Sequence, residues 1–348
     1  MKSELEIYGT LGPACADTEI LRKMFAAGIN GMRLNLSHGT LPESMPLIEA
    51  FHRACALEGV KPSLLIDMQG PELRIGSVGA GFEAEQGEEI LLSIKGAQLS
   101  ETGMIPVPEE IFEHFEPGMV LMIDDGRILL RVTGTADTKE ERRLRALVIS
   151  GGRILSRKSI AIRDRTVTGS TLTAQDLMNL RFASDAGVTD VMQPFVRGAR
   201  DLMEVRRAME ENGAGNCRLF AKIENRTGIG AVEEILPLTD LLVIARGDLG
   251  NAVPLWELPA VQKEISQKCL SADVPFMVVT QMLASMERSP VPTRAEVSDI
   301  FNAVADGASA VMITGESASG RYPVQASEYL VKTAMEGLKW REEHEKRS

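Results

Sequence analysis

Short apolar runs that end in polar residues recur along the chain, and most are followed by a helical pattern. The first run, Leu5–Thr10, precedes a helix that begins near Asp17 and stops at Gly28, and the same order returns seven more times. The predicted strands are Leu5–Thr10, Gly31–Leu36, Ser63–Asp67, Thr189–Gln193, a strand starting at Arg218, Leu241–Ala245, Phe276–Thr280 and Ala310–Ile313. Eight strand–helix units are typical of the α/β class and predict a (β/α)8 TIM barrel.

The helices predicted later in the chain include 173–186, 199–211, 231–236 and 258–269. The next one is opened by a capping box, Thr293-Arg-Ala-Glu296, in which the first and fourth side chains bond each other's backbone N–H groups. A last helix follows Pro323.

The pattern changes after the third strand. From about Leu73 to Ile162, short β-rich segments are separated by glycine and polar clusters. These segments are Ile90–Ile94, Val120–Ile123, Ile128–Val132 and Leu144–Ile149. They predict a small all-β domain inserted after strand 3. We therefore expect residues 1–73 to form the first part of the barrel, 74–162 an inserted β domain that serves as a lid, and 163–348 the rest of the barrel.

Composition excludes several classes of partner. The 348 residues carry a formal net charge of -11, which argues against nucleic acid or an anionic membrane as the main ligand. The cysteines Cys15, Cys55, Cys217 and Cys269 show no metal-binding or redox spacing, as expected in a reducing compartment. No signal peptide or membrane-spanning run is evident. We expect a cytoplasmic protein.

The stretch Arg218–Asn225 places charges where an apolar strand ends. Because strand side chains alternate, Phe220, Lys222 and Glu224 share one face. A solvated strand end would explain one such pair. Polar residues, however, end nearly every predicted strand: Thr10; Arg33, Asn35 and Ser37; Asp67; Lys222 and Glu224; Arg246 and Asp248; Thr280; Thr314 and Glu316. Since barrel active sites form at the carboxyl ends of the strands, this ring predicts one functional site.

Residue types suggest the chemistry of this ring. Glu224 and Asp248, on neighbouring strands, form a pair suited to Mg2+ or Mn2+, although Arg246 between them would also explain two nearby carboxylates. Lys222 and Arg33 provide the cations that an acidic protein needs to bind an anion.

Other polar groups add to this picture. Asn35, Ser37 and Asp67 offer oxygen ligands for a monovalent cation, or simply buried hydrogen bonds, and Gly247 would let backbone N–H groups approach an anion. The set favours phosphoryl transfer. No Ser-His-Asp arrangement is visible.

Several motifs resemble those of the pyruvate kinase family. They are Thr10-Leu-Gly-Pro-Ala14, Met32-Arg-Leu-Asn-Leu-Ser-His-Gly39, Asp67 with Gly70-Pro-Glu-Leu-Arg74, Ala221-Lys-Ile-Glu-Asn225, Ala245-Arg-Gly-Asp-Leu-Gly250, Thr280-Gln-Met-Leu283, Pro292–Asp299 and Gly315-Glu316. The resemblance implies that phosphoenolpyruvate and ADP are converted to pyruvate and ATP, the last step of glycolysis, with Mg2+ (or Mn2+) and K+ as cofactors.

The resemblance also implies roles for individual residues. Lys222 and Arg33 would be catalytic cations on the phosphoryl group, with Thr280 and Thr314 as hydroxyls near the enolpyruvate. Substrate-binding residues would be Arg33, Lys222, Gly247, Asp248 and Thr280. Mg2+ would bind Glu224 and Asp248, and K+ would bind Asn35, Ser37, Asp67 and the Met68 carbonyl, with Glu72 where K+-requiring members carry glutamate. The nucleotide would contact Thr10, Pro13, His38, Arg74 and Lys158.

The chain departs from the family mostly on the nucleotide side. Gln69 and Ser319 replace usual lysines, and Ser159–Arg163 replaces a Gly-Val-Asn-Leu-Pro segment. We therefore expect a weakened nucleotide site. The family's C-terminal domain has no counterpart in this sequence, so we expect no sugar-phosphate activation and a homodimer formed near Pro292–Asp299. Two alternatives stay open: a metal-dependent lyase or tautomerase acting on pyruvate or another 2-oxo acid, and a non-catalytic phosphoenolpyruvate-binding regulator.

Overall fold

The computed structural model describes residues 5–37, 39–94, 104–124, 126–138, 142–163 and 170–345. The chain divides into two compact units, one formed by Met1–Gly70 with Thr171–Ser348 and the other by Pro71–Ser170. Among the described residues, no helix combines the length and the apolar character that crossing a membrane requires.

The strands are β1 (Glu6–Thr10), β2 (Gly31–Asn35), β3 (Ser63–Asp67), β4 (Phe82–Ala84), β5 (Glu89–Ser93), β6 (Met104–Pro106), β7 (Val120–Ile123), β8 (Ile128–Thr135), β9 (Arg143–Ser150), β10 (Gly152–Ile154), β11 (Ile160–Ile162), β12 (Asp190–Gln193), β13 (Arg218–Ile223), β14 (Leu241–Ala245), β15 (Phe276–Val279) and β16 (Ala310–Met312). The α-helices are α1 (Thr18–Ala27), α2 (Met45–Glu58), α3 (Glu109–Phe112), α4 (Ala174–Ala183), α5 (Ala199–Glu211), α6 (Arg226–Gly230), α7 (Val232–Ile235), α8 (Arg246–Ala252), α9 (Leu258–Ser271), α10 (Arg294–Ala305), α11 (Gly315–Ala318) and α12 (Pro323–Glu345). Short 3-10 turns cover Pro13–Cys15, Pro42–Ser44, Leu236–Leu238 and Ala284–Glu287.

The first unit is a closed barrel of parallel strands in the order β1, β2, β3, β12, β13, β14, β15, β16, with β16 pairing back to β1. The predicted (β/α)8 barrel is therefore confirmed. Because every strand is parallel to its neighbours, the carboxyl ends of all eight strands meet at one end of the barrel, and the residues that follow them are brought together there.

Alternate side chains of these strands fill the barrel interior. Tyr8, Met192, Phe220, Val243 and Met277 belong to one fully buried cluster inside the barrel. Phe220 lies two residues before Lys222 on β13, so both side chains are on the same face of the strand. The interior therefore changes from apolar to charged along a single strand, as the sequence predicted.

Helix starts follow local sequence signals. The capping box at Thr293 and Glu296 forms as predicted, and a second one joins Thr173 to Asp176 at the start of α4. The predicted 173–186 helix is shorter in the structure, since α4 ends at Ala183. Strand β15 likewise ends at Val279 rather than Thr280, because Thr280 has a positive φ of 79° that no strand residue adopts.

The described residues of the second unit form two sheets. Strands β4 and β10 form an antiparallel pair, and a six-stranded sheet has the order β11, β7, β8, β9, β5, β6. Its pairs are antiparallel except for β5 with β6. Buried side chains such as Ile90, Leu121, Leu130 and Val148 make a separate apolar core. The unit therefore has a core of its own.

Candidate active site

Four charged side chains from three barrel strands and their ends meet at the carboxyl end of the barrel. Arg33 donates from Nε and Nη2 to Asp67 Oδ2 at 2.8 and 2.6 Å. Lys222 Nζ lies 3.3 Å from the same oxygen and 2.9 Å from Glu224 Oε1. The two cations and two carboxylates are largely buried, with side-chain exposures of 14% for Lys222 and 2% for Asp67 and Glu224. This cluster contains the charges that the sequence placed at one site.

Burial and pairing act against each other on the two central groups. Burial raises the pKa of Asp67, but the charges of Lys222 and Arg33 outweigh it and hold that pKa below its ordinary value. Burial lowers the pKa of Lys222, but Asp67 and Glu224 outweigh it and raise that pKa above its ordinary value. The two carboxylates therefore favour the charged form of Lys222.

One oxygen of the cluster has no hydrogen-bond partner among the residues that the structure describes. It is Asp67 Oδ1, which is buried, whereas Oδ2 of the same carboxylate accepts from two cations. Asn35 is the register partner of Asp67 in the sheet, and its Oδ1 accepts from Ser37 N at 3.2 Å. Met68 follows Asp67 and is buried, with its N–H donating to the Met192 carbonyl. A buried carboxylate oxygen and an amide oxygen at paired positions of adjacent strands are oxygen ligands of the kind that suit a bound cation.

Helix α4 holds the loops that follow β2 and β3. Asp176 is fully buried and accepts from the N–H groups of Gln69 at 2.8 Å and Gly70 at 3.0 Å. Gln175 Nε2 donates to the carbonyls of Leu36 and Gly39 at 3.0 and 2.8 Å. These bonds fix the backbone on either side of Ser37 and just beyond Met68.

Glu224 and Asp248 lie at the carboxyl ends of the hydrogen-bonded strands β13 and β14, as predicted. The second oxygen of Glu224 accepts from Phe195 N at 2.9 Å, and Asp248 lies in the first turn of α8. Within the described residues, no three His, Cys, Asp or Glu side chains form a metal-binding group. A divalent ion here would therefore depend on this carboxylate pair together with substrate or solvent oxygens.

Arg246, on the strand end between Glu224 and Asp248 in the sequence, has two partners on other elements. Its guanidinium pairs with Asp299, with Nη1 donating to Oδ1 at 2.8 Å and Nη2 lying 2.7 Å from Oδ2. It also donates to the Thr280 carbonyl from Nη2 at 2.9 Å. Glu224 pairs with Lys222.

Thr280 follows β15 directly, and Thr314 lies two residues after the end of β16. Thr314 N donates to Glu316 Oε2 at 2.7 Å, and Leu283 N donates to the other oxygen of Glu316 at 3.0 Å. The buried Glu316 carboxylate thus joins the two loops that carry the threonines. Gly247 faces the same region, since a Cβ at that position would lie 3.0 Å from Thr280 Cγ2.

The predicted nucleotide residues are divided between the two units. In the barrel, Thr10 is buried and its hydroxyl donates to the Ile313 carbonyl at 2.9 Å, while Pro13 is exposed at the start of a 3-10 turn. His38 lies outside the described residues. In the second unit, Arg74 pairs with Glu72 at 2.6 Å, and Lys158 pairs with Asp124 at 2.7 Å.

Three residues support the predicted site, and the sequence prediction had placed only Glu316 among its strand-end residues. Asp176, Asp299 and Glu316 each hold backbone or a guanidinium beside the predicted site. A signal existed for Asp176, because Thr173-Ala-Gln-Asp176 has the Thr-x-x-Asp spacing of a capping box. The other two depend on contacts across more than 30 residues, which no local pattern indicates.

The fold and the cluster define a class of protein. It is a (β/α)8 barrel whose strand ends carry buried cations and carboxylates of a kind suited to a phosphorylated ligand. Residues 2–327 match the family model described as "Pyruvate kinase, barrel domain". A pyruvate kinase of Agrobacterium vitis is 40% identical over 334 residues, covering 93% of this chain and 66% of the relative. One of Sporosarcina psychrophila is 36% identical over 333 residues, covering 95% of this chain and 56% of the relative.

This chain belongs to the pyruvate kinase family. A third relative, the pyruvate kinase of Geobacillus stearothermophilus, is 35% identical and is covered over 55% of its length. The chain thus spans between about half and two thirds of the length of these relatives.

Proposed function

We propose that this protein transfers a phosphoryl group between phosphoenolpyruvate and ADP, giving pyruvate and ATP, in the last step of glycolysis in the cytoplasm. The observation that carries the proposal is the cluster of Arg33, Asp67, Lys222 and Glu224 at the carboxyl end of the barrel. Two buried cations beside an enol phosphate would neutralise charge that develops as the phosphoryl group leaves.

Each residue of the cluster has a role in this proposal. Lys222 stays protonated, so its ammonium stabilises the enolate oxygen and the moving phosphoryl group. Arg33, anchored on Asp67 by two N–H donors, orients the phosphate. Thr280 and Thr314 present hydroxyl groups near the enolpyruvate, on loops that Glu316 joins.

The residues present fit both cations that the family uses. Glu224 and Asp248 would hold Mg2+, or Mn2+, and Asn35, Ser37, Asp67 and the Met68 carbonyl would hold K+. The buried, unpaired Oδ1 of Asp67 supports the second assignment. When bound, the divalent ion would polarise phosphoryl oxygens and the monovalent ion would offset the carboxylate charge.

A coupled assay for pyruvate tests the proposal. With saturating phosphoenolpyruvate and ADP, we expect turnover that needs Mg2+ and rises with K+ more than with Na+. Absence of turnover with both cations present would refute it.

A second function is favoured by one observation. The Thr10 hydroxyl, expected on the nucleotide, donates to the Ile313 carbonyl instead. An enolate site without a competent nucleotide site would suit a lyase or tautomerase acting on a 2-oxo acid. Proton exchange at the pyruvate methyl group, together with no ADP binding by calorimetry, would favour that function over the kinase.

A further inference from the structure

Two consecutive residues after β15 have a backbone conformation that their side chains disfavour. Thr280 has φ 79° and Gln281 has φ 58°. A positive φ is a genuine outlier for a β-branched residue such as threonine, and such residues persist only where their surroundings hold them. Something near Thr280 must therefore supply that hold.

The Arg246 guanidinium donates several hydrogen bonds to this segment. It donates to the Thr280 carbonyl from Nη2 at 2.9 Å and from Nε at 3.3 Å, and Nη2 also lies 2.9 Å from Met282 Sδ. Asp299 on α10 pairs with the same guanidinium through both carboxylate oxygens. With a side-chain exposure of 11%, Arg246 is fixed on one side by α10 and bonds the strained backbone on the other.

The surroundings leave Thr280 little room to move. Gly247 lies so close that a Cβ there would be 3.0 Å from Thr280 Cγ2. On the far side of the turn, Leu283 N is bonded to the buried Glu316. The segment between Val279 and Leu283 is therefore held at both ends, and Arg246 bonds its middle.

We propose that Arg246, oriented by Asp299, is a positioning residue that holds Thr280 in its strained conformation and so aims the Thr280 hydroxyl at the substrate. The inference rests on the proposed function, in which Thr280 serves the enolpyruvate. The role of residue 246 requires an arginine, because lysine cannot hydrogen-bond to a carboxylate and a carbonyl with one planar group.

The substitution Arg246→Lys tests this inference. We expect kcat to fall about 10-fold, because small displacements of a reacting group are costly, while KM for phosphoenolpyruvate changes less than about twofold. In a Thr280→Ala background, Arg246→Lys should cause no further loss, since the two residues act through one hydroxyl. Losses that multiply in the double variant would overturn the proposal.

Arg206→Lys is the matched control. Arg206 also bonds an aspartate and a backbone carbonyl, Asp240 at 2.9 Å and Leu238 at 3.5 Å, but beside the amino end of β14. The kcat of the Arg206→Lys variant should stay within about twofold of the wild-type value. An equal loss of kcat in both lysine variants would overturn a specific role for Arg246.

Amide hydrogen exchange of residues 279–283 separates the inference from the proposed function. Exchange there should be faster in Arg246→Lys than in wild type whether or not turnover is measurable. If the wild-type protein made no pyruvate, the proposed function would be refuted. Hydrogen exchange would still show whether Arg246 restrains Thr280. Unchanged exchange would refute that hold.

Discussion

The barrel interior has a cluster of charges at each end, and the two clusters differ in how completely their oxygens are bonded. At the amino end, Arg218 donates to Glu6 at 2.8 and 2.9 Å and to Asp190 at 2.6 Å. The Thr189 hydroxyl donates to the remaining oxygen, Asp190 Oδ2, at 3.0 Å, and the Tyr8 hydroxyl adds a second donor to Glu6 Oε2 at 2.6 Å. Every carboxylate oxygen of this cluster therefore has a donor.

The carboxyl end is built from the same residue types but is not complete. Within the described part of the chain Asp67 Oδ1 has no partner, and strained backbone follows β12 at Phe195 and β15 at Thr280. A fully bonded cluster stabilises a fold, whereas unmet bonding capacity and strain are typical of sites that bind a ligand. Buried charge alone does not therefore identify a site; what separates the two ends is whether the protein itself satisfies the charges.

The largest expected effect is at the carboxyl end. Lys222→Met should lower kcat about 1,000-fold, because it removes the ammonium next to the transferred group. Far-UV circular dichroism should show an intact barrel. Retention of more than a tenth of wild-type kcat in the coupled assay would contradict the role of Lys222.

The corresponding change at the amino end should affect stability instead. Arg218→Met leaves Glu6 and Asp190 without their cation, so we expect the free energy of unfolding to fall by about 2 kcal/mol, less than for a fully buried pair because the Arg218 side chain is 39% exposed. Urea unfolding measures this loss. The exposed pair Arg207–Glu211 gives the control, since Arg207→Met should leave the free energy of unfolding nearly unchanged.

If the two ends differ as argued, kcat per folded molecule of Arg218→Met stays within about twofold of wild type. A large loss of kcat in that variant would show that the amino-end cluster also serves catalysis.

The hydrogen bonds from α4 to the loops that follow β2 and β3 can be tested by measuring K+ binding. Asp176→Asn weakens the hold on the Gln69 and Gly70 amides, so we expect the half-saturating K+ concentration to rise about 10-fold, as for other groups that orient ion ligands. The melting temperature titrated with KCl against NaCl reports this without an activity assay. Glu296→Gln, in the capping box of α10, is the control and should leave the K+ titration unchanged.

The smallest expected effect concerns pH: the contribution of Lys222 to the free energy of unfolding should not change between neutral and moderately alkaline pH. Because the pKa of Lys222 is raised in the folded protein, the stability that its charge contributes is fully present below its ordinary value of 10.5 and is lost only as the pH rises through the folded-state value. The difference in unfolding free energy between wild type and Lys222→Met should therefore be constant from pH 7 to about pH 9.5. A difference that shrinks above pH 8 would mean that Lys222 titrates as a weaker base.

The sequence predicted the barrel well because its strands are apolar runs with polar ends. Thr293 and Glu296 predicted the start of α10, and Phe220 with Lys222 predicted one strand face. Long-range pairings were not predictable. Glu6 and Arg218 are 212 positions apart and meet only because the sheet closes. The positive φ of Thr280 gave no signal either, since glycine, which usually marks such a conformation, is absent there.

The most direct test of the central claim is phosphoenolpyruvate binding measured by calorimetry with and without Mg2+. We expect phosphoenolpyruvate binding to depend on Mg2+ in the wild-type protein. Binding should be lost in Glu224→Gln and unchanged in Arg207→Met. Equal affinity with and without Mg2+, or binding that survives in Glu224→Gln, would contradict the assignment of the carboxyl-end cluster.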